Sequence, residues 1–304
     1  MRQNTYFARL HRQSLSGNFA LLLIMTWVMD FSKISILEEN SPFVIAGPCS
    51  AESEEQVIHT AVELAANGIE VFRAGLWKPR TRPGNFEGVG ERGLQWMVNI
   101  REITGMALAT EVATPAHVEA CLNAGIDIMW IGTRTSGNPF SMAELADALR
   151  DAPRDQIVLV KNPLCPGVDS WLGAIERIMD AGLRNVGAIH RGFADFSDSV
   201  YRNPPHWEVA RKMRAEIPGM PMIVDPSHMA GKRELIPGLM RQAADLGFNA
   251  FMIESHTNPA MALTDARQQL TPSDLNVLIN SVFTDTPAFP AKAESRLFER
   301  SGRQ

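Results

Sequence analysis

The stretch Phe43-Val-Ile-Ala-Gly-Pro-Cys-Ser50 is a short apolar run that ends in Gly47-Pro48 and is followed at once by a cysteine. Apolar runs of this length, bounded by Gly and Pro, are typical of buried strands. The same order recurs along the chain: an apolar strand, a polar or charged residue at its end, and an amphipathic helix closed by glycine. The recurrence predicts alternating strands and helices, with the candidate chemistry at the strand ends.

Eight such strand–helix units follow one another in the 304 residues, with predicted strands at 43–48, 69–74, 106–110, 127–131, 157–160, 185–189, 222–224 and 250–253. Helices are predicted near 53–66, 94–104, 115–124, 141–150, 168–181, 205–217, 233–246 and 273–283. Alternation of this kind indicates an α/β protein with a parallel sheet. Eight units of about thirty residues predict a single closed (β/α)8 TIM barrel. The alternative, an open doubly wound sheet, usually shows Gly-x-Gly-x-x-Gly after its first strand, and that motif is absent here.

Residues 1–40 stand apart from this pattern. Basic residues such as Arg9 and Arg12 precede an apolar stretch at 19–29, which is the outline of a signal peptide. The stretch is short for a transmembrane helix and no small-x-small cleavage site follows it. Three interpretations stay open: a misassigned start with translation from Met29, a leader, or an extra helix on the barrel floor. The barrel is assigned to 41–283 and a Pro-rich polar tail to 284–304.

The composition excludes several partners. The net charge of −5 gives no general attraction to nucleic acid or to a membrane surface, so any anion site must be a local cluster of cations. Three cysteines do not make a disulfide framework. A reducing, cytoplasmic location is therefore expected.

The carboxyl ends of barrel strands form the active site of this fold. Read in order, those ends carry Cys49, Arg73, Lys78, Arg80, Thr81, Glu111, Arg134, Lys161, Arg191, His228, Glu254 and Asp265. Taken singly, each has an unremarkable explanation: a lone cysteine is usually a small buried hydrophobe, and Asp225-Pro-Ser-His228 is compatible with a turn capped by its Asp. Polar chemistry at every strand end argues for a site.

Two sets separate by chemistry. The sulfur, nitrogen and oxygen donors of Cys49, His228, Glu254 and Asp265 suit a divalent transition metal such as manganese, iron, cobalt or zinc, and do not suit a purely structural zinc. The second set is cationic: Arg73, Lys78, Arg80, Arg134, Lys161 and Arg191. Arginine forks bind phosphate and carboxylate in pairs of hydrogen bonds. So many cations suit two phosphorylated substrates, or one that carries both phosphate and carboxylate.

These motifs together resemble a known family. They are Ala46-Gly-Pro-Cys-Ser50, Arg73-x4-Lys78-Pro-Arg-Thr81, Ile131-Gly-Thr-Arg134, Val160-Lys161, Asn162-Pro163, Ala188-Ile-His-Arg-Gly192, Tyr201-Arg-Asn203, Asp225-Pro-Ser-His228 and Ile253-Glu254. In this order they are similar to the 3-deoxy-D-arabino-heptulosonate 7-phosphate (DAHP) synthases of the type I-beta branch, and within it to the form often fused to a chorismate mutase. The resemblance covers about residues 43–282.

The resemblance implies a metal-dependent transferase that condenses phosphoenolpyruvate with erythrose 4-phosphate, releases phosphate and opens the shikimate pathway to aromatic amino acids. Matched position by position, the metal ligands are Cys49, His228, Glu254 and Asp265, with manganese the first choice. The phosphoenolpyruvate site matches Arg73, Lys78, Arg134, Lys161 and Arg191, and the erythrose 4-phosphate site matches Arg80, Thr81 and Asp265. Lys78, Cys49 and His228 are the expected catalytic residues.

The sequence departs from the family pattern in places. Thr133 stands where an alanine is expected before Arg134. Residues 284–304 are too few and too polar for a helical chorismate mutase domain, so synthase activity alone is expected, with a separate chorismate mutase as a conceivable partner. The resemblance also implies a homodimer or homotetramer.

Two rival functions are weighed. The synthase of 3-deoxy-D-manno-octulosonate 8-phosphate uses arabinose 5-phosphate and typically has Lys-Ala-Asn-Arg-Ser where this chain has Lys78-Pro-Arg-Thr81. An inactive barrel that serves as a scaffold is the other rival, and the complete set of metal and anion residues argues against it.

Overall fold

The computed structural model describes residues 42–78, 80 and 83–283. Eight strands form one closed barrel in chain order, and every pair of neighbours is parallel. The strands are β1 Phe43–Gly47, β2 Val71–Arg73, β3 Ala107–Val112, β4 Ile128–Ile131, β5 Ile157–Lys161, β6 Asn185–His190, β7 Met222–Val224 and β8 Ala250–Glu254. The predicted TIM barrel is therefore confirmed.

Helices follow the strands around the outside. They are α1 Glu54–Ala66, α2 Arg92–Thr104, α3 Pro115–Asn123, α4 Thr133–Ser136, α5 Pro139–Ala148, α6 Val168–Asp180, α7 Trp207–Glu216, α8 Pro226–Ala230, α9 Ile236–Asp245 and α10 Pro272–Val282. The eight long ones match the predicted helices to within a few residues. The short helices α4 and α8 were not predicted, and both lie directly after a strand, at the rim where site residues are expected.

Local chemistry sets several boundaries. Ser53, Thr114 and Thr271 each accept a backbone N–H of the first turn of their helix, as good N-cap residues do. Strand β2 is shorter than the predicted 69–74 because the N–H of Ile69 donates to Leu64 O and completes the end of α1. Residues 1–41 and 284–304, with their predicted extension and tail, lie outside the described residues.

The core has two layers because side chains alternate across each strand. Ile45, Val71, Ile128 and Met252 belong to the cluster that fills the barrel interior. The other face of each strand packs against the helices in a second, larger cluster. Trp130 lies in the inner layer, fully buried. In the described part of the chain, no helix is both long and apolar enough to cross a membrane.

The surroundings of Gly47 explain why β1 ends in glycine. Its φ is 149°, and a Cβ there would lie 2.0 Å from the carbonyl oxygen of Arg73. Only glycine tolerates both the backbone conformation and the close approach of β2. The residue therefore fixes the position of Cys49 relative to the end of β2.

Candidate active site

Three donor groups meet at the carboxyl end of the barrel. The ligand atoms of Cys49, Glu254 and Asp265 all lie within 4.8 Å of one another. Cys49 and Glu254 are buried, and Sγ of Cys49 lies 3.6 Å from Oδ2 of Asp265. Residues more than 200 positions apart are thus brought together because β1 and β8 are neighbours in the closed barrel.

Glutamine and arginine side chains hold this group in place. Gln269 accepts the backbone N–H of Cys49 at 3.0 Å, and Gln268 donates to Oε2 of Glu254 at 2.7 Å. Asp265 takes a left-handed conformation with φ 47° and accepts from Nη1 of Arg202 at 3.0 Å. The second oxygen of each carboxylate is left to face the cluster.

The donor set fits a divalent metal. Oε1 of Glu254 is buried and accepts no hydrogen bond from the described residues, although cationic groups lie nearby. Burial, with Glu254 adding to it, raises the pKa of the Cys49 thiol to about 12. A cation among these groups would satisfy the orphaned oxygen, offset the two carboxylates and favour the thiolate.

His228 lies beside this group. Its Nε2 is 3.5 Å from Oε1 of Glu254, and its Nδ1 is 2.8 Å from Oδ2 of Asp225. The ring is carried by α8, whose first turn is capped by Asp225. Burial opposes ionisation of Asp225, but His228 and Lys161 outweigh it and hold the pKa of that carboxyl well below its usual range.

Two buried arginines present unpaired N–H groups in this region. Arg73 is 1% exposed and donates from Nη2 to Cys49 O at 3.1 Å, yet its Nε and Nη1 have no hydrogen-bond partner among the described residues. Nη1 of Arg191 is also buried without a partner in that part of the chain. Burial lowers the pKa of Arg191 to about 10. Buried donors are normally paired, so these groups are suited to bind an anion.

Two lysines complete the cationic half of the site. Nζ of Lys161 lies 2.8 Å from Oδ2 of Asp225. The ring of Trp130 lies beneath both Lys161 Nζ, at 5.9 Å, and the Arg73 guanidinium, at 4.6 Å. Lys78 donates to Cys49 O at 2.8 Å. Burial lowers the pKa of Lys78, but Cys49 and Glu111 outweigh burial and the pKa is raised.

The comparisons with known proteins agree with this arrangement. Residues 25–287 match the model of the DAHP synthetase I family. The chain belongs to the DAHP synthetase I family.

Individual proteins give the degree of similarity. Over 227 residues the chain is 32% identical to the phospho-2-dehydro-3-deoxyheptonate aldolase of Thermotoga maritima, a match that covers 75% of this chain and 64% of that protein. A crystal structure of a phospho-2-dehydro-3-deoxyheptonate aldolase from Thermotoga maritima superposes with a TM-score of 0.73 at 30% identity, over 81% of this chain and 69% of the other. The 2-dehydro-3-deoxyphosphooctonate aldolase of Azoarcus is 25% identical, over 73% of this chain and 83% of its own length. The chain thus spans less than two thirds of the first of these relatives.

The remaining residues predicted from the family pattern lie at the rim. Arg134 is exposed in α4, and Arg80 is exposed in the loop between β2 and α2. Thr81 lies outside the described residues. Of the three residues predicted for erythrose 4-phosphate, the structure therefore describes Arg80 and Asp265, and Asp265 lies with Cys49 and Glu254.

Several side chains at the site of this family member were missed or undervalued in the sequence. Trp130 read as an ordinary apolar strand residue, although its strand position places it in the barrel interior. Asp225 was considered only as a helix cap; its spacing three residues before His228 was the available signal. Arg202 belongs to the motif Tyr201-Arg-Asn203 but was given no role, and Gln268 gave no signal. The two side chains contact each other and the site only through the fold.

One cysteine and one histidine outside the site are surrounded by core side chains. Cys121 is buried in the helix-facing core. His190 precedes Arg191 but points the opposite way, into an aromatic surround of Trp171, Phe193 and Trp207. It therefore belongs to the packing between strands and helices.

Proposed function

We propose that the chain condenses phosphoenolpyruvate with erythrose 4-phosphate to give 3-deoxy-D-arabino-heptulosonate 7-phosphate and inorganic phosphate, the first step of the shikimate pathway. Membership of the DAHP synthetase I family supports the reaction class. The observation that carries the proposal is the unpaired N–H groups of Arg73 and Arg191, buried beside the group formed by Cys49, Glu254 and Asp265.

Phosphoenolpyruvate carries a phosphate and a carboxylate, so it needs several cationic donors held in one geometry. Arg73, Lys161 and Arg191 are buried and pre-positioned, and Arg134 adds a fourth cation at the rim. Donors that are already ordered stabilise charge without reorganising during the reaction. Arg80 and Thr81 are assigned to the phosphate of the sugar.

The bond-forming step joins C3 of phosphoenolpyruvate to the aldehyde carbon of the sugar. Water then adds to the cationic C2 and phosphate leaves. Holding two anions in contact is mainly a task of positioning and charge neutralisation. Lys78 is assigned as the donor of the proton to the aldehyde oxygen, since an ammonium is the ordinary state of lysine at neutral pH and its Nζ is held at the carbonyl of Cys49.

The metal is assigned to Cys49, Glu254 and Asp265, with His228 as the fourth ligand. A divalent ion bound there supplies Lewis-acid polarisation of the aldehyde oxygen. Manganese is the first choice, with iron, cobalt and zinc as alternatives, because the mixed donor set accepts all four.

The decisive experiment measures phosphate release from phosphoenolpyruvate with erythrose 4-phosphate or with arabinose 5-phosphate. It is run before and after chelation, and again after Mn²⁺ is added back. We expect activity with the four-carbon sugar alone, lost on chelation and restored by Mn²⁺. Preference for the five-carbon sugar would assign the chain to the octulosonate reaction. This second candidate function is supported by the similarity to the Azoarcus enzyme.

No activity with either sugar, despite bound metal, would favour the scaffold function. The same preparation tests the proposed assembly, a homodimer or homotetramer, by light scattering. A separate chorismate mutase partner is tested by adding that enzyme and measuring a change in phosphate release.

A further inference from the structure

Asp225 is a fully buried carboxylate that contacts both halves of the site. It follows β7, is 0% exposed, and is contacted by groups from two different elements. Its Oδ2 lies 2.8 Å from Nζ of Lys161, on β5, and 2.8 Å from Nδ1 of His228, on α8. Its Oδ1 accepts the backbone N–H of His228 at 3.0 Å.

The contact with His228 restrains the orientation of its imidazole ring. Nδ1 of His228 lies 2.8 Å from Oδ2 of Asp225, but this contact lacks hydrogen-bond geometry, and Nδ1 has no hydrogen-bond partner among the described residues. The buried carboxylate therefore restrains the ring by charge and close contact, together with the hydrogen bond from the backbone N–H of His228. The opposite ring nitrogen, Nε2, lies 3.5 Å from Oε1 of Glu254. Asp225 thus orients His228 toward the proposed metal ligands.

The contact with Lys161 acts on the other half of the site. Lys161 is a flexible side chain that must be held over Trp130 to face an anion. The same oxygen of Asp225 supplies that restraint, at 2.8 Å. One buried atom therefore restrains a cation of the proposed phosphoenolpyruvate site and a ligand of the proposed metal site.

We propose that Asp225 is a positioning residue that ties Lys161 to His228, so that metal affinity and phosphoenolpyruvate affinity both depend on this one carboxylate. The proposal rests on the function proposed above. Carboxylates that hold a metal-ligating histidine typically change metal affinity by about 10- to 100-fold when they are removed. Asp225 differs from such a partner in its second contact, with the anion-binding lysine.

A purely structural explanation exists, since Asp225 also caps α8. Two variants separate the explanations. Asp225→Ser keeps a capping hydroxyl but is too short to reach Lys161 and the ring of His228. Asp225→Asn keeps the size and the capping oxygen but removes the charge shared by the two partners. If the cap were the whole role, both folded variants would keep wild-type affinities.

The test uses the full chain and needs no turnover. Mn²⁺ affinity is measured by paramagnetic resonance of the free ion, and phosphoenolpyruvate affinity by calorimetry without the sugar. We expect both variants to bind Mn²⁺ about 10- to 100-fold more weakly and phosphoenolpyruvate about tenfold more weakly. Asp127→Asn is the matched control, because Asp127 is also paired, with Arg101, but at the other end of the barrel. It should leave both affinities unchanged.

Repeating the Asp225→Asn substitution in a Lys161→Met variant separates the effect on phosphoenolpyruvate binding from the effect on Mn²⁺ binding. There, Asp225→Asn should no longer weaken phosphoenolpyruvate binding, yet should still weaken Mn²⁺ binding, because the two effects run through different partners. Wild-type Mn²⁺ affinity in folded Asp225→Asn, or a wild-type chain that binds no Mn²⁺, would overturn the proposal.

Failure of the proposed function is recognised separately, as absence of phosphate release by a wild-type chain that still shows these affinities.

Discussion

The two ends of the barrel differ in how their charged side chains are paired. At the amino end, Arg101 donates to Oδ2 of Asp127 and to Gly125 O, both at 2.6 Å, and Asp127 also accepts the N–H of Leu108 at 2.8 Å. At the carboxyl end, Arg73 and Arg191 keep buried nitrogens that no described residue accepts. The Arg101–Asp127 pair is completed within the fold, whereas the unpaired donors of Arg73 and Arg191 suit the anion site proposed above.

The largest effect is expected from Cys49→Ala. Loss of the thiol should remove bound metal and lower kcat more than about a thousandfold, because a Lewis acid contributes several kcal/mol to the barrier. Metal content by mass spectrometry and phosphate release measure this. Cys121→Ala is the control: its thiol is equally buried but lies in the helix-facing core, so only stability should fall. Full activity of Cys49→Ala would remove this cysteine from the site.

Arg191→Met tests the carboxyl end directly. We expect KM for phosphoenolpyruvate to rise about 100-fold, since a charge-assisted contact is lost. The free energy of unfolding should not fall, because the variant removes a buried cation whose Nη1 is unpaired. Steady-state kinetics measure the KM, and urea unfolding measures the free energy of unfolding. A destabilised variant with an unchanged KM would assign Arg191 to the same structural class as Arg101.

The free energy of unfolding is expected to depend on pH through His190, at the end of β6. Burial lowers the pKa of His190 from 6.5 to about 3. Between those values the unfolded chain binds a proton that the folded chain excludes, so stability falls as the pH falls from 6.5 toward 3. His190→Leu should remove about 3 kcal/mol of that loss between neutral pH and about pH 4.5.

Urea unfolding of wild type and His190→Leu at the two pH values measures this difference. His59→Gln is the control, because that side chain is exposed. An equally steep loss in wild type and His190→Leu would show that other groups set the acid limit.

The smallest effect is expected at the amino end. Arg101→Met should lower the free energy of unfolding by about 1 kcal/mol, because the pair with Asp127 is only partly buried. The kinetic constants should be unchanged. Thermal unfolding and phosphate release test this, and a large rise in KM would contradict the division between the two ends.

Much of the fold was predictable from the sequence because its signals are local. Apolar runs, N-cap residues and glycines after helices mark each unit, and eight units close a barrel. Gly47 is an example: the sequence shows a glycine before Pro48, and the structure supplies the reason, a contact that leaves no room for a Cβ. The ends of β2 were less predictable, since Ile69 is needed to complete α1.

The candidate site likewise has features that the sequence predicts and features that only the fold determines. The sequence by itself determined which residue types stand at the strand ends, because each follows an apolar run, and so it offered Cys49, Arg73, Arg191 and Glu254 as candidates. Only the tertiary structure decided their partners. Asp225 reads as a helix cap until Lys161, 64 residues away, is seen on the same oxygen. Partnership of this kind depends on which strands adjoin and which way each side chain points, and those are properties of the closed barrel rather than of any one segment.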